Sequence, residues 1–449
     1  MAAAALVALS CALPARGQSP EVVRKVLDNG LRLIVKPEKG SGLVAVVAAI
    51  GAGASQEGIQ NAGIGNFVAN LVLASTRLSS AEDVAAIADE VGGNIGSQWH
   101  PDFTEIRAIT TSDRFNQAMS LIGECLTEAN FEHKWVEQVR AELLRKLKTG
   151  SDDVFERAYT NLRELLYEDN GYRRPPPGFE RTIRNATAED LRKFYSTYYV
   201  PNNVVISVVG DVTVEQALDR AQKAFAGVPS AKLPKDRGMP DEELERSKFR
   251  ASEADLSAAY LMLGWLAPAL GSRDYAAVAV ATNALGGGKG SIMFRELRQK
   301  RGMGYDLGAR YPRSRYQSHV LAYIITDPFK SSPGASVSMV LEEVKAALIE
   351  QVENLKRNPL SPEDLERAKG YTIGSYSLEH QRMLDRCFYL AWLEIIGVGI
   401  EFDRTFADQV SRVTAEDVQR VCRTYFTNYA AVLLLPRTKS PPTEGSGKG

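Results

Sequence analysis

The chain has few of the side chains that bind transition metals or attack substrates, because only four of its 449 residues are histidines and four are cysteines. It also lacks an excess of either charge: 54 basic residues stand against 55 acidic ones, which removes any bulk electrostatic reason to bind nucleic acid or an anionic membrane. No apolar run reaches the roughly 18 residues of a membrane-spanning helix. Apolar residues make up 44% of the sequence and charged residues 24%, which is typical of a globular protein with two or three domains.

The few histidines and cysteines are scattered along the chain. No histidine has a second one a helical turn away, so we expect packing or surface roles for all four: His100, His133, His319 and His380. Without the N-terminal segment three cysteines remain, an odd number at wide spacing: Cys125, Cys387 and Cys422. Buried free thiols are expected there rather than disulfides.

Residues 1–17 are predicted to be a signal peptide, which would place the mature chain in the periplasm or outside the cell. The segment is mostly apolar up to residue 13 and ends in the small-x-small pattern Ala15-Arg16-Gly17, although the basic start of such signals is missing. Cys11 offers an alternative, a lipidation site, but Ala8 stands where a leucine is usual.

Residues 63–76 are predicted to be a helix that opens directly after a strand, residues 43–50. A buried stripe along this helix consists of three apolar residues: Phe67, Leu71 and Val72. Asn66 and Asn70 are one turn apart, so both side chains project from one face beside that stripe. Taken alone, the stretch is an amphipathic core helix with two polar residues at its edge.

A sequence repeat divides the chain into two similar halves. The segment 187–199 recurs as 414–426 at a constant offset of 227, and each copy leads into an apolar strand. Between the halves lies a stretch rich in proline, glycine and charged residues, which is typical of a linker. The predicted organisation is an N-terminal α/β domain, a linker, a C-terminal α/β domain and a disordered tail: 21–228, 229–246, 247–437 and 438–449.

A glycine-rich run, residues 285–290, precedes a predicted helix in the second half. Backbone amides of such a run could cradle phosphate, but it follows no clear strand and lacks the spacing of a Walker loop or a dinucleotide fingerprint. Arg298 and Tyr305 come after it, seven residues apart. From the residues alone, Arg298 is a solvated charge on a helix face and Tyr305 is a strand residue packed on its sheet.

Together these segments resemble the pitrilysin/insulinase-type metallopeptidases, inverted zincins whose zinc helix carries H-x-x-E-H. Asn66 stands where that family has the first zinc histidine, and Asn70 where it has the second. Ala69 replaces the glutamate that activates water. The family's third ligand, a glutamate further along the chain, corresponds to residues 143–148, which contain no carboxylate. An amide is a poor zinc ligand, so the resemblance implies a chain with no zinc site of its own.

The resemblance also implies a fold and a role. The expected fold is two homologous α/β domains, each an antiparallel or mixed sheet packed with helices, forming half of a clamshell. Arg298 and Tyr305 match an arginine and a tyrosine that reach across to substrate at the zinc of the facing domain. A guanidinium can hold a peptide carbonyl, and a phenol can donate a hydrogen bond to the oxyanion of amide hydrolysis.

The leading hypothesis is therefore a non-catalytic, zinc-less subunit of a heterodimeric zinc metallopeptidase. Its partner would be a homologous chain that carries H-x-x-E-H and zinc, and the substrate would be a peptide. The alternative is a non-enzymatic pseudopeptidase that acts as a polypeptide-binding scaffold or as the core subunit of a complex. An independent peptidase would need a different metal site, and the scattered histidines offer none.

Overall fold

The computed structural model describes four ranges of the chain: 21–150, 153–236, 238–327 and 337–437. The predicted signal peptide, 1–17, and the predicted tail, 438–449, lie outside the described residues. Within the described ranges, two sheets and the helices packed against them form a mixed α/β fold, which confirms the predicted fold class. No helix in these ranges is both long and apolar enough to cross a membrane.

Six strands form the N-terminal sheet: β1 (Val23–Val26), β2 (Arg32–Pro37), β3 (Leu43–Ile50), β4 (Ile95–Trp99), β5 (Thr104–Thr111) and β6 (Val204–Gly210). They lie in the order β1-β2-β6-β3-β5-β4, and only β2 and β6 pair in parallel. The central strands β3 and β6 are apolar runs in which all residues but Leu43 are buried. Continuous burial of this kind means that both faces of the sheet are covered.

The described residues of this half form eight α-helices: α1 (Ile64–Leu71), α2 (Ala81–Glu90), α3 (Phe115–Thr127), α4 (His133–Gly150), α5 (Val154–Leu166), α6 (Glu180–Asn185), α7 (Ala188–Tyr198) and α8 (Val214–Ala224). The helix predicted over 63–76 is α1, but it ends at Leu71, so the predicted end was wrong. The chain leaves the helix because Ser75 and Thr76 pair elsewhere: the carbonyl of Ser75 accepts the amide of Asn130 at 3.0 Å, and Thr76 bridges to Ala129.

Five strands form the C-terminal sheet: β7 (Lys248–Ala254), β8 (Ala259–Ala267), β9 (Asp306–Arg310), β10 (Ser318–Thr326) and β11 (Ala430–Pro436). Their order, β7-β11-β8-β10-β9, repeats the order β2-β6-β3-β5-β4 strand for strand, including one parallel pair, β7 with β11. This half carries six α-helices in the described ranges: α9 (Tyr275–Gly286), α10 (Val337–Arg357), α11 (Pro362–Leu378), α12 (Met383–Ile395), α13 (Glu401–Ser411) and α14 (Ala415–Tyr425).

The helix predicted after the glycine-rich run, over residues 291–300, is mostly a π-helix, Phe294–Gln299. Its wider turn is seen where the amide of Lys300 donates to the carbonyl of Arg295, five residues back, at 3.1 Å. Such single π turns are often found at functional sites.

The repeated sequence segments occupy equivalent places in the two halves. Thr187 caps α7 and Thr414 caps α14, and in both capping boxes the threonine hydroxyl accepts the amide of an aspartate three residues on, at 3.1 Å. Each helix then leads into the strand at the same position of its sheet, β6 or β11. The threonine-capped segment is therefore part of a structural repeat, as its sequence predicted.

One helix of each half packs on the sheet of the other half, and we call α5 and α12 the exchanged helices. Helix α5 of the N-terminal half packs on β8 and β11 of the C-terminal sheet, where Leu162 and Leu166 lie against Gly264. Helix α12 of the C-terminal half packs on β3 and β6, and the buried Cys387 thiol donates to the carbonyl of Ser207 at 3.1 Å. The free, buried cysteines confirm the sequence prediction. Because each sheet is covered by a helix from the other half, the halves are packed into one body.

The linker predicted at 229–246 has no regular structure in its described residues, yet it is held in place. The Glu242 carboxylate accepts the amides of three successive residues at 2.6–2.9 Å: Glu168, Asp169 and Asn170. The amide of Glu242 donates to Gln317 Oε1 at 2.8 Å, so the segment is bound to both halves.

Candidate functional site

The start of α1 is held by a buried carboxylate. Glu57 accepts the amides of Gly63 and Gly65, each at 2.9 Å, and its own carbonyl accepts Nη2 of Arg174 at 3.0 Å. Burial raises the pKa of Glu57 to about 7, against the lowering effect of these two amides and of the Arg174 charge. Gly63 has a φ of +90°, and an added Cβ would lie 2.5 Å from the carbonyl oxygen of Pro177. These contacts fix where α1 begins and which way it points.

Asn66 and Asn70 lie side by side on α1, as the spacing predicted. Nδ2 of Asn70 donates to the backbone carbonyl of Asn66 at 2.7 Å and to its Oδ1 at 3.2 Å. Both side chains are half-buried. The two residues at the histidine positions thus hydrogen-bond to each other within the helix.

Ala69, at the position of the water-activating glutamate, is closed off from solvent. It is 1% exposed and packs with Ala54 and the indole of Trp99, with Met239 of the linker against the same cluster. Trp99 ends β4 and comes so close to α1 that a Cβ on Gly65 would lie 2.7 Å from its Nε1. The space beside Ala69 is therefore filled by apolar side chains, and no acid or base takes the place of the missing glutamate.

The third ligand position lies on α4 and offers no donor either. Leu143 is buried in the same core as Phe67, and Lys146 is exposed. The nearest carboxylate on the helix, Glu142, is already bound to Lys146 Nζ at 2.8 Å. No group of three or more histidine, cysteine or acidic residues in the described ranges could hold a metal ion. These side chains do not fit zinc, which needs imidazole, thiolate or carboxylate ligands in a fixed geometry.

Arg298 and Tyr305 are brought together in the C-terminal half. Arg298 lies on the π-helix, its guanidinium donates to the backbone carbonyl of Tyr305, and it lies 5.3 Å from the ring of Phe294. Tyr305 directly precedes β9, an edge strand, and its amide donates to the carbonyl of Ile325 at 3.0 Å. With its backbone anchored, the Tyr305 side chain is 51% exposed, so it is not packed on the sheet.

The phenol of Tyr305 is available as a hydrogen-bond donor. Its pKa is raised, chiefly by partial burial and further by Tyr260, Asp306 and Asp327 nearby. A raised pKa keeps the hydroxyl protonated at neutral pH. The neighbouring guanidinium adds a planar set of donors that suits a peptide carbonyl or carboxylate.

The two sets of residues lie in different halves of the chain. In the described ranges, the hydrogen-bond and ring partners of Arg298 and Tyr305 all belong to the C-terminal half, whereas Asn66, Ala69 and Asn70 contact residues on and around α1. Sequence reasoning missed the filling of the α1 site by Trp99 and Met239. A single tryptophan at a strand end and a methionine in a linker carry no pattern that would have pointed to it.

Comparison with known proteins covers most of the chain. A family model described as Insulinase (Peptidase family M16) matches residues 33–175, and one described as Peptidase M16 inactive domain matches residues 185–371. The uncharacterized zinc protease YmxG of Bacillus subtilis is 23% identical over 94% of this chain and 100% of its own length. Zinc protease PqqE of Helicobacter pylori is 24% identical, with 96% of each chain covered.

Solved structures share the fold. A protease from Helicobacter pylori superposes with a TM-score of 0.84 at 21% identity, covering 93% of this chain and 100% of its own. A peptidase M16 inactive domain from Pseudomonas fluorescens gives 0.81 at 20% identity, covering 94% and 100%. The periplasmic protease PqqL from Escherichia coli gives 0.76 at 17% identity, and this chain covers 48% of it.

Proposed function

The chain belongs to the insulinase (M16) family of peptidases, and on that premise we propose that it is the zinc-less subunit of a heterodimeric zinc metallopeptidase. The observation that carries the proposal is that one candidate site has lost its metal-binding side chains, whereas the other presents exposed polar groups. On α1, Asn66 and Asn70 are half-buried and hydrogen-bonded to each other and Ala69 is buried, whereas Arg298 and Tyr305 are adjacent and exposed. Such a chain would supply substrate-binding groups to a metal site on its partner chain.

Each residue of the pair has a distinct role in this proposal. Arg298 holds a carbonyl of the bound peptide, since it is exposed and its guanidinium lies against the backbone of the exposed Tyr305. Tyr305 donates its hydroxyl proton in a hydrogen bond to the oxygen that becomes negative as the peptide bond is attacked. The homologous partner supplies H-x-x-E-H, and therefore the zinc and the base, in trans.

The length of a structural neighbour supports a two-chain enzyme. The superposition on the periplasmic protease PqqL includes 93% of this chain but only 48% of PqqL. A protein about twice as long therefore contains the same fold. Two chains of the present length would together match such a molecule. We also propose export to the periplasm, which rests on the signal-like residues 1–17 and on the compartment named for that neighbour.

A scaffold without catalytic function is the second candidate. The observation that favours it is the packing of Trp99 and Met239 beside Ala69. These side chains fill the space at the α1 site and offer no catalytic group. On this view the exposed Tyr305 would contact a bound polypeptide without affecting any reaction. Mutation of Tyr305 in an assembled complex separates the two candidates.

The direct test is co-expression with a homologous chain that has an intact H-x-x-E-H motif. This chain alone should bind no stoichiometric zinc after dialysis and should cleave no peptide, because its α1 side chains cannot hold the metal. The pair should elute near twice 49.1 kDa and hydrolyse peptides. About one zinc per copy of this chain, with activity lost to a chelator, would contradict the proposal.

A further inference from the structure

A pocket of about 230 Å³ lies between the two halves of the molecule, next to Trp99. Its walls are mainly aromatic: Trp99, Phe103 and Tyr159 from the N-terminal half, with Phe388 and Trp392 from the exchanged helix α12. At about 30 Å³ for each water in the liquid, this volume corresponds to about seven or eight waters, enough for a molecule the size of an amino acid. Small-molecule sites have this character, an apolar enclosure with a few polar groups.

Two arginines of the pocket lining have a buried Nε–H group without an acceptor in the described part of the chain, Arg163 and Arg174. Arg163 is only 7% exposed, and its other donors make long contacts, to Thr160 Oγ1 at 3.2 Å and to the carbonyl of Tyr172 at 3.4 Å. Buried donors are satisfied in most proteins, so two incompletely hydrogen-bonded guanidinium groups that line one pocket favour an acceptor there.

The positive charges around the pocket are only partly compensated. Within the described ranges, neither Arg163 nor Arg174 forms a direct ion pair with a carboxylate, although the buried Glu57 interacts electrostatically with Arg174. Arg313 on the same wall is paired with Glu379 at 2.5 Å. The one carboxylate of the lining, Asp102, already accepts the hydroxyl of Tyr172 and the amide of Arg315. A buried cation without a partner is costly, which makes the wall receptive to an anion.

Two histidines line the pocket, His100 and His319. His100 Nε2 lies 3.2 Å from the Glu105 carboxylate. His319 is buried between two phenols, with Tyr159 Oη 2.9 Å from its Nε2 and Tyr167 Oη 2.9 Å from its Nδ1. Burial, with a smaller effect of the Arg163 charge, lowers the pKa of His319 to about 3, so this ring is neutral. Among the described residues of the lining, Arg163 and Arg174 are therefore the positive groups without a direct carboxylate contact.

We propose that this pocket binds a small carboxylate with an apolar or aromatic body, the carboxylate on Arg163 and Arg174 and the body among the aromatic side chains. Arginine forks match the planar carboxylate, and the aromatic walls favour an organic body over a bare inorganic ion. The ligand is either a free carboxylic acid or the C-terminal residue of a peptide, since both present the same chemistry. The inference concerns this chain alone and does not depend on a zinc-bearing partner.

The test is isothermal calorimetry on the full chain with matched acid and amide probes. 3-Phenylpropionate should bind saturably, and 3-phenylpropanamide, which has the same shape without the charge, should bind at least about tenfold more weakly. A short peptide ending in phenylalanine, compared with its C-terminal amide, identifies the source. Binding of the peptide acid indicates a peptide terminus, and binding of the free acid alone indicates a small metabolite.

Variants locate the binding in this pocket. Arg174→Gln, at a half-buried position, should weaken the acid about tenfold to a hundredfold, because a hydrogen bond to a charged group is lost. Arg173→Gln, the exposed neighbour with the same change of charge, is the control and should leave affinity within twofold. Trp99→Phe keeps an aromatic ring but makes this wall of the pocket smaller, so a several-fold loss of affinity is expected. This test does not depend on whether the arginine variant folds.

Three results would overturn the proposal. They are no saturable binding of the acid by the wild-type chain, equal binding of acid and amide, and unchanged affinity in both Arg174→Gln and Trp99→Phe. None of these bears on peptide hydrolysis with a partner chain, so failure here is distinguishable from failure of the heterodimer.

Discussion

The two halves of this protein share one fold, and their candidate site segments differ in burial. On α1 of the N-terminal half, Asn66 and Asn70 form an amide pair, and the buried Ala69 packs with Trp99 and Met239. In the C-terminal half, Arg298 and Tyr305 before β9 are exposed, and the backbone of Tyr305 is anchored to β10.

The contrast shows how a packed segment and an exposed one differ physically. The apolar side chains packed around Ala69 stabilise the fold by burying their surface. An exposed phenol and guanidinium contribute little to stability, because they remain largely in water. Their arrangement next to each other is better explained by binding than by packing.

Among the variants that test this comparison, Tyr305→Phe is expected to have the largest effect, a loss of kcat. If the hydroxyl donates to the oxyanion at the partner's metal site, kcat of the heterodimer should fall roughly ten- to a thousandfold, while KM changes less. Steady-state kinetics on a peptide substrate measure this. Tyr371→Phe, the same change on another exposed tyrosine of the C-terminal half, is the control. Normal assembly with full turnover in Tyr305→Phe would make the pair structural and favour the scaffold.

Arg298→Ala should act mainly on binding. Removing a group that holds the substrate in both ground and transition states should lower kcat/KM about tenfold to a hundredfold, with the larger share in KM. Arg301→Ala is the matched control, since that exposed arginine on the same segment is paired with Glu350 at 2.7 Å. Equal effects of the two substitutions would show that only net charge matters. Size-exclusion chromatography should show an intact dimer for both.

Ala69→Glu tests whether the cluster around Ala69 on α1 is tightly packed. A glutamate placed against Trp99 and Ala54 overfills a packed cluster, so the free energy of unfolding should fall by about 1–3 kcal/mol. Zinc should still not bind, even when Asn66→His and Asn70→His are added, because α4 offers no third ligand. Denaturant unfolding and metal analysis measure both. Stoichiometric zinc in the triple variant would mean that the site is open after all.

Glu57 gives the smallest expected effect, a pH dependence of stability. Its pKa is raised from 4.5 to about 7, so the folded chain binds this proton more tightly than the unfolded chain does. Its contribution is therefore fully present below pH 4.5 and is lost as the pH rises through about 7, a decline of about 1 kcal/mol between pH 6 and 8. Glu57→Gln should lack this part of the decline in denaturant unfolding at each pH. Parallel pH profiles of wild type and variant would contradict the shift.

Much of the fold was predictable from local pattern. The sequence predicts a strand over 43–50 and helices over 154–166, 362–378 and 415–425. The strand β3 and the helices α5, α11 and α14 have these bounds, because an apolar run or a capped amphipathic period is sufficient to define them. Strand β7 was missed, since its sequence Lys-Phe-Arg-Ala-Ser-Glu-Ala is mostly exposed and it forms through parallel pairing with β11. The packing of α5 and α12 on the sheet of the other half could not be predicted from local pattern either, because an amphipathic helix does not specify which sheet it covers.

The candidate sites show the same limit. The resemblance of motifs, read position by position, predicted roles for Asn66, Ala69, Asn70, Arg298 and Tyr305, and these roles remain predictions. The sequence could not show that Trp99 packs against Ala69, nor that Arg163 and Arg174 line one pocket with side chains from α12. Only the packing of the elements brings these residues together.

The most direct measurement is a titration of this chain into a fixed amount of the purified zinc-bearing partner, with peptide hydrolysis as the readout. The account predicts that the partner alone is nearly inactive and that the rate rises to a plateau at one equivalent. It also predicts that Tyr305→Phe reaches its plateau at the same ratio but at a rate ten- to a thousandfold lower. Full activity of the partner alone, or equal plateaus for wild type and Tyr305→Phe, would contradict the claim that this chain completes the active site.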